Sequence, residues 1–111
     1  MTISTNIKGL PEGKYFTEVG HSQQYPWTEL RRTEKTVTLA KVAVKPDPDW
    51  KPEIVPGGFV GHCVNQSEQT WLFKGVKPTQ SLTIRKTKGG WAYKGVRFVE
   101  DRAVEFYDWN F

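Results

Sequence analysis

The chain has 111 residues, a formal charge of +4 at pH 7 and 25% charged residues, which is the size of one domain. Five Trp, four Tyr and six Phe are enough to fill a core. No apolar run reaches bilayer-spanning length, the N-terminus lacks the basic and apolar regions of a signal peptide, and a single Cys excludes an internal disulfide, so a cytoplasmic protein is expected.

Residues 1–13 are small and polar, with Gly9, Pro11 and Gly13, and read as a flexible N-terminal arm ahead of a single β domain over residues 14–111. Tyr15–Val19 is a short strand candidate ending at Gly20. Tyr25–Arg31 is a second, whose Pro26 places its start at an edge. Lys35–Val44 carries the strongest strand pattern: Val37 and Leu39 alternate with Thr36 and Thr38, and the apolar parity then switches to Val42 and Val44. Such a switch predicts a β-bulge near Ala40-Lys41.

Lys45–Cys63 follows, with four prolines, three glycines, Trp50 and the adjacent pair His62-Cys63. Each proline fixes φ and removes a donor, so this stretch cannot be a central strand. Its Trp50 and Phe59 argue for an ordered binding loop rather than a solvated linker. Phe59–Val64 reads either as a short strand or as more of the loop.

Gln69–Lys74 is a strand candidate with Trp71 and Phe73 on one face, and Gly75-Val76-Lys77-Pro78 reads as a turn. Ser81–Lys86 alternates cleanly, with Leu82 and Ile84 opposite Thr83 and Arg85. Lys88-Gly89-Gly90 reads as a hairpin turn into Trp91-Ala92-Tyr93, Lys94-Gly95 leads into Val96–Phe98, and the aromatic-rich Ala103–Trp109 as a closing strand. No window shows a helical period. The expectation is an all-β fold, a small partly open barrel or sandwich of SH3-like or OB-like kind, with a long proline-rich ordered loop.

Catalytic and metal motifs are weak. Neighbouring side chains in an extended segment point to opposite faces, so His62 and Cys63 cannot form a nucleophile–base pair. One Cys and two His without C-x-x-C spacing do not make a zinc site. Asp47 and Asp49 lack the glycine and distal glutamate of a calcium loop and read as turn caps. Gly57-Gly58 with Gly61 follows proline rather than a strand and is no phosphate loop. No catalytic residue, metal or cofactor is assigned.

Charge patterning is more informative. No acidic residue lies between Glu68 and Glu100, yet Lys74, Lys77, Arg85, Lys86, Lys88, Lys94 and Arg97 do. Cations interleaved with Trp91 and Tyr93 suggest a strand-built platform for nucleic acid. The other reading is a solvated outer face partly neutralised by the acidic tail, Glu100 to Asp108, and a core role for Trp91 and Tyr93.

Lys51–Gln66 and Glu105–Phe111, with the Thr36–Leu39 strand, resemble a group of small uncharacterised phage and prophage proteins, over roughly residues 15–111. The resemblance implies a viral origin and expression in the cytoplasm of a bacterial host, and it supplies no catalytic residues. The combined expectation is a non-enzymatic phage accessory binding protein, monomer or homodimer, without membrane contact. Its binding residues are Trp50, Phe59, His62, Arg85, Lys86, Lys88, Trp91, Lys94 and Arg97, and its partner is nucleic acid or an acidic host protein. The alternatives are an inhibitor that docks on a host defence protein through the aromatic loop and C-terminal strand, and a small hydrolase or nuclease using His62 with Asp47, Asp49 or Glu53.

Overall fold

Eleven strands and one short 3-10 turn account for the regular structure of the computed structural model, which describes residues 3–56 and 61–110. In chain order the strands are β1 (Ser4–Thr5), β2 (Ile7–Lys8), β3 (Tyr15–Val19), β4 (Gln24–Arg32), β5 (Thr36–Pro46), β6 (Ile54–Val55) and β7 (His62–Cys63). After the turn at Gln66–Glu68 come β8 (Trp71–Thr87), β9 (Gly90–Tyr93), β10 (Val96–Glu100) and β11 (Arg102–Ala103). The protein is all-β, and its main sheet runs β2-β8-β5-β4-β3-β10-β9, with β9 pairing back onto β8 to make an unevenly closed ring. Among the described residues no helix is long and apolar enough to cross a membrane.

Inward alternation fills the ring. Phe16, Trp27, Val37, Leu39, Ile84, Trp91 and Phe98 form one core, with Leu82, Tyr93 and Val96 packed against it. Polar groups on the same register are all bonded. Trp27 Nε1 donates to Glu18 at 3.0 Å and Trp91 Nε1 to Glu100 at 3.3 Å. The Arg32 guanidinium lies 5.8 Å over Phe16 and 5.6 Å over Trp91, and donates to Glu29 at 2.7 Å and Glu100 at 2.8 Å.

The parity switch in β5 is not a bulge in β5 itself, which alternates without interruption: Val37 and Leu39 face the ring, whereas Ala40 and Val42 are buried on its other side. The register between β5 and β8 breaks between Ala40 and Lys41, where Lys41 faces Lys77 and Ala40 faces Ser81. Pro78, Thr79 and Gln80 therefore bulge out of β8. This corrects the turn expected at Gly75–Pro78: β8 is continuous, because β5 holds it on both sides of the bulge, and Pro78 sits where no ladder donor is needed. Pro26 is also placed differently. It is buried in an interior strand, opposite Thr17, and is tolerated because pairing with β5 begins only at Trp27. The predicted tight turn forms, Thr87 pairing with Gly90 across Lys88-Gly89, and a second joins Tyr93 to Val96 across Lys94 (φ 48°) and Gly95 (φ 81°).

Both ends of the chain differ from expectation. The segment read as a flexible arm is woven in: β1 runs parallel to β11, β2 runs parallel to β8, and Ile7 is 4% exposed in a second core with Tyr15, Val42 and Ala103. The closing strand over Ala103–Trp109 does not form. Beyond β11 the tail makes one bridge, Phe106 to Gln24, and several of its other backbone groups are taken by side chains. Thr17 Oγ1 bonds Arg102 O and Val104 N at 2.7 and 3.1 Å. Asn6 bonds both backbone groups of Glu105, at 2.7 and 3.1 Å, and Gln69 both of Tyr107, at 2.7 and 3.0 Å. Gln66 accepts from Trp109 N at 2.9 Å.

Gln69 is 2% exposed, so Gln69→Leu leaves the Tyr107 N–H and C=O without their partner. It is expected to lower unfolding free energy by about 1–3 kcal/mol and to speed amide exchange at Tyr107. Urea denaturation followed by hydrogen exchange checks this; unchanged exchange there would refute the clamp.

Candidate functional site

The expected binding residues fall on two separate surfaces. Pro46 pairs with Trp71 at one end of β5, and Thr36 with Arg85 at the other. Ten residue steps at about 3.3 Å put these levels on the order of 30 Å apart, in a molecule 50 Å long. Trp50 and His62 lie at the first end and the basic hairpin at the second, so they cannot form one contact surface. Phe59 lies outside the described residues.

At the basic end, Arg85, Lys86, Lys88, Lys94 and Arg97 are all exposed, and among the described residues none is in an ion pair. Two acidic groups of the tail are engaged elsewhere: Glu100 holds Arg32, and Asp108 accepts from Asn110 N at 2.9 Å. Arg85 and Arg97 both stand opposite Ala92, in neighbouring strands and on the outer face. The aromatic half of the expected platform is corrected. Trp91 is 9% exposed and meets Phe16 edge-on at 6.0 Å, because closure of β9 onto β8 turns it inward. Tyr93 is half-buried against the same core, and Lys94 Nζ lies 5.4 Å over its ring.

At the other end the described residues of the proline stretch form a turn, closed by Trp50 N on Asp47 O, and the antiparallel pair β6–β7. Asp47 caps the turn through Asp49 N at 2.9 Å, and its buried carboxylate also takes Thr70 Oγ1 and Lys8 Nζ, each at 2.7 Å. Those three donors, the Lys8 ammonium first, hold its pKa down at about 2. The Trp50 ring lies tilted against Trp109 at 6.1 Å between centroids, and Trp109 meets Tyr107 edge-to-face at 5.0 Å. Trp109 is 42% and Tyr107 45% exposed. Cys63 is buried, its backbone clamped by Asn110 at 2.7 and 3.0 Å, while His62 points to solvent. No carboxylate among the described residues lies within ion-pair distance of His62, and no three His, Cys, Asp or Glu side chains there converge on a metal position.

One charged site escaped sequence reasoning. Glu105, whose backbone Asn6 clamps, lines a cavity of about 220 Å³ with Tyr25, Lys41, Lys74 and Lys77. Lys41 Nζ lies 4.0 Å from the Tyr25 ring centroid and 5.2 Å from that of Trp27. Desolvation pushes the Glu105 carboxyl up to about 7, against the attraction of Lys41. Desolvation lowers Lys41, with Glu105 opposing. The only signal available in the sequence was a lysine inside the best strand.

No protein-family model, curated protein or solved structure matches the chain; the functional reading rests on its own residues.

The Glu105 shift has a definite sign. A carboxyl whose folded pKa is about 7, against an ordinary 4.5, binds its proton more tightly when folded, so this group's contribution to stability falls as pH rises from about 4.5 to 7. Glu105→Gln is expected to flatten the stability profile in that window and to gain most over the parent at pH above 7. Thermal melts across the window read it directly; identical slopes in both proteins would refute the shift. Loss of the Asp47 contribution belongs to a lower range, as pH falls from about 4 toward 2.

Proposed function

We propose that this is a non-enzymatic binding protein, a small β-barrel of general SH3 or OB type, that grips the backbone of nucleic acid with the cationic end of β8, β9 and β10. The observation that carries the reading is the set Arg85, Lys86, Lys88, Lys94 and Arg97, exposed on three adjacent strands and their turns with no ion-pair partner among the described residues. Cations left unpaired in this way keep their full attraction for phosphates and displace condensed counterions on binding. The resemblance to phage accessory proteins supports the same setting, the cytoplasm of a bacterial host. An acidic host protein offers similar charge complementarity but not the steep linear salt dependence of phosphate contacts.

A second reading, docking on a host protein, is favoured by one observation at the far end. Trp50, Tyr107 and Trp109 pack ring against ring, and Ile54, Val55 and Val64 expose their side chains, apolar surface suited to anchor a partner.

Lys86→Glu/Lys88→Glu/Lys94→Glu is expected to weaken binding to labelled mixed-sequence DNA by at least about tenfold at low salt, whereas Trp50→Ala/Trp109→Ala stays within about twofold. Anisotropy titrations over a salt series check both. The reverse ranking would move the contact to the aromatic end and defeat the nucleic-acid reading.

A further inference from the structure

Resting on the nucleic-acid reading above, we infer that the basic face receives the sugar–phosphate backbone of a duplex in two arginine-lined depressions, and not the splayed bases of a single strand. The register places Arg85 and Arg97 on opposite sides of Ala92, two inter-strand steps apart, about 10 Å. Two hollows of about 310 Å³ each lie beside these arginines. Thr83, Arg85, Ala92, Tyr93 and Lys94 line one. Gln24, Arg97 and Arg102 line the other.

Each hollow thus holds two cations, at least one of them a guanidinium, whose planar fork matches a phosphate. The cations are also partly pre-positioned. Arg102 Nη2 donates to Gln24 Oε1 at 3.2 Å, and Lys94 is held at the hairpin turn by its positive φ and by the Tyr93 ring. An anion entering either hollow meets side chains that need little further ordering.

Stacking is what this face lacks. Sequence-tolerant single-strand binding depends on open aromatic faces for successive bases. Trp91 is inside the barrel with Phe16 at its edge and Arg32 over its ring, and Tyr93 carries Lys94. The exposed rings of Tyr107 and Trp109 belong to the far end, where Gln69 and Gln66 hold their backbone. A base laid on the outer face would meet Thr, Ala, Val, cations and a Tyr93 ring already covered by Lys94. A duplex keeps its bases stacked on one another and presents phosphates alone.

A labelled duplex of about 20 base pairs and each of its separated strands are titrated with the full chain between about 50 and 200 mM salt. The panel also includes Arg85→Ala/Arg97→Ala and, off the face, Trp109→Ala. The duplex should bind at least about fivefold tighter than either strand, and the double variant should flatten the log–log salt slope for the duplex by about 1.8, two phosphates at about 0.9 each. Trp109→Ala should match the parent. Strands bound as tightly as the duplex, with the double variant still weakened, would overturn the duplex assignment while leaving the nucleic-acid reading standing. Duplex preference with an unchanged slope in the double variant would overturn the two hollows. Absence of salt-dependent binding to every probe would sink the underlying reading.

Discussion

Past Ala103 the chain runs out of strand partners, yet backbone polar groups of a segment packed against a protein must still be hydrogen-bonded. Side chains meet that demand one residue after another. Thr17 bonds Arg102 and Val104, Asn6 bonds Glu105, Gln24 bridges Phe106 through its own backbone, Gln69 bonds Tyr107, and Gln66 bonds Trp109. Asn110 reverses the direction and clamps Cys63. A carboxamide carries both a donor and an acceptor, so one side chain can serve both backbone groups of the residue it faces.

Much of the architecture depends on that seam. The N-terminal residues are drawn in because Asn6 is one of the clamps, and with them Ile7 covers Val42 and Tyr15 to make a second core outside the ring. Glu105 is carried beneath the strand surface to Lys41. Trp109 is delivered to Trp50, which ties the proline-rich turn to the body of the protein. Asp47 fixes the same turn from its other side by joining Lys8 and Thr70.

Function divides along the same line. The end organised by the tail collects exposed aromatic surface, and the end organised by the β8–β9–β10 hairpins collects cations. Inside the ring, the indole N–H groups of Trp27 and Trp91 turn toward Glu18 and Glu100. The largest rings of the hairpin region are thereby spent on packing, and the outer surface is left to charge. The two ends suit different partners, and one can be altered with little consequence for the other, since they lie well beyond the range over which mutational effects couple directly.

By itself the sequence determined the strand class, a break in strand register at Ala40-Lys41 and the turn at Lys88-Gly89. Alternation and turn chemistry are local properties, legible without knowing what a strand packs against. It also showed that Lys74 to Arg97 is free of acid, and that Trp91 and Tyr93 share a face with each other. Only tertiary structure decided which face that is. Pairing of β9 onto β8 put Trp91 inside and Arg85 and Arg97 outside, a choice that period-two alternation states only up to a flip. Gly75–Pro78 read as a turn because residues there favour one, but β5 on either side held them in a bulged strand. Ala103–Trp109 read as a strand because its composition is apolar and aromatic, while the partners that bond it, Asn6, Thr17, Gln66 and Gln69, lie tens of residues away and carry no local mark of that role.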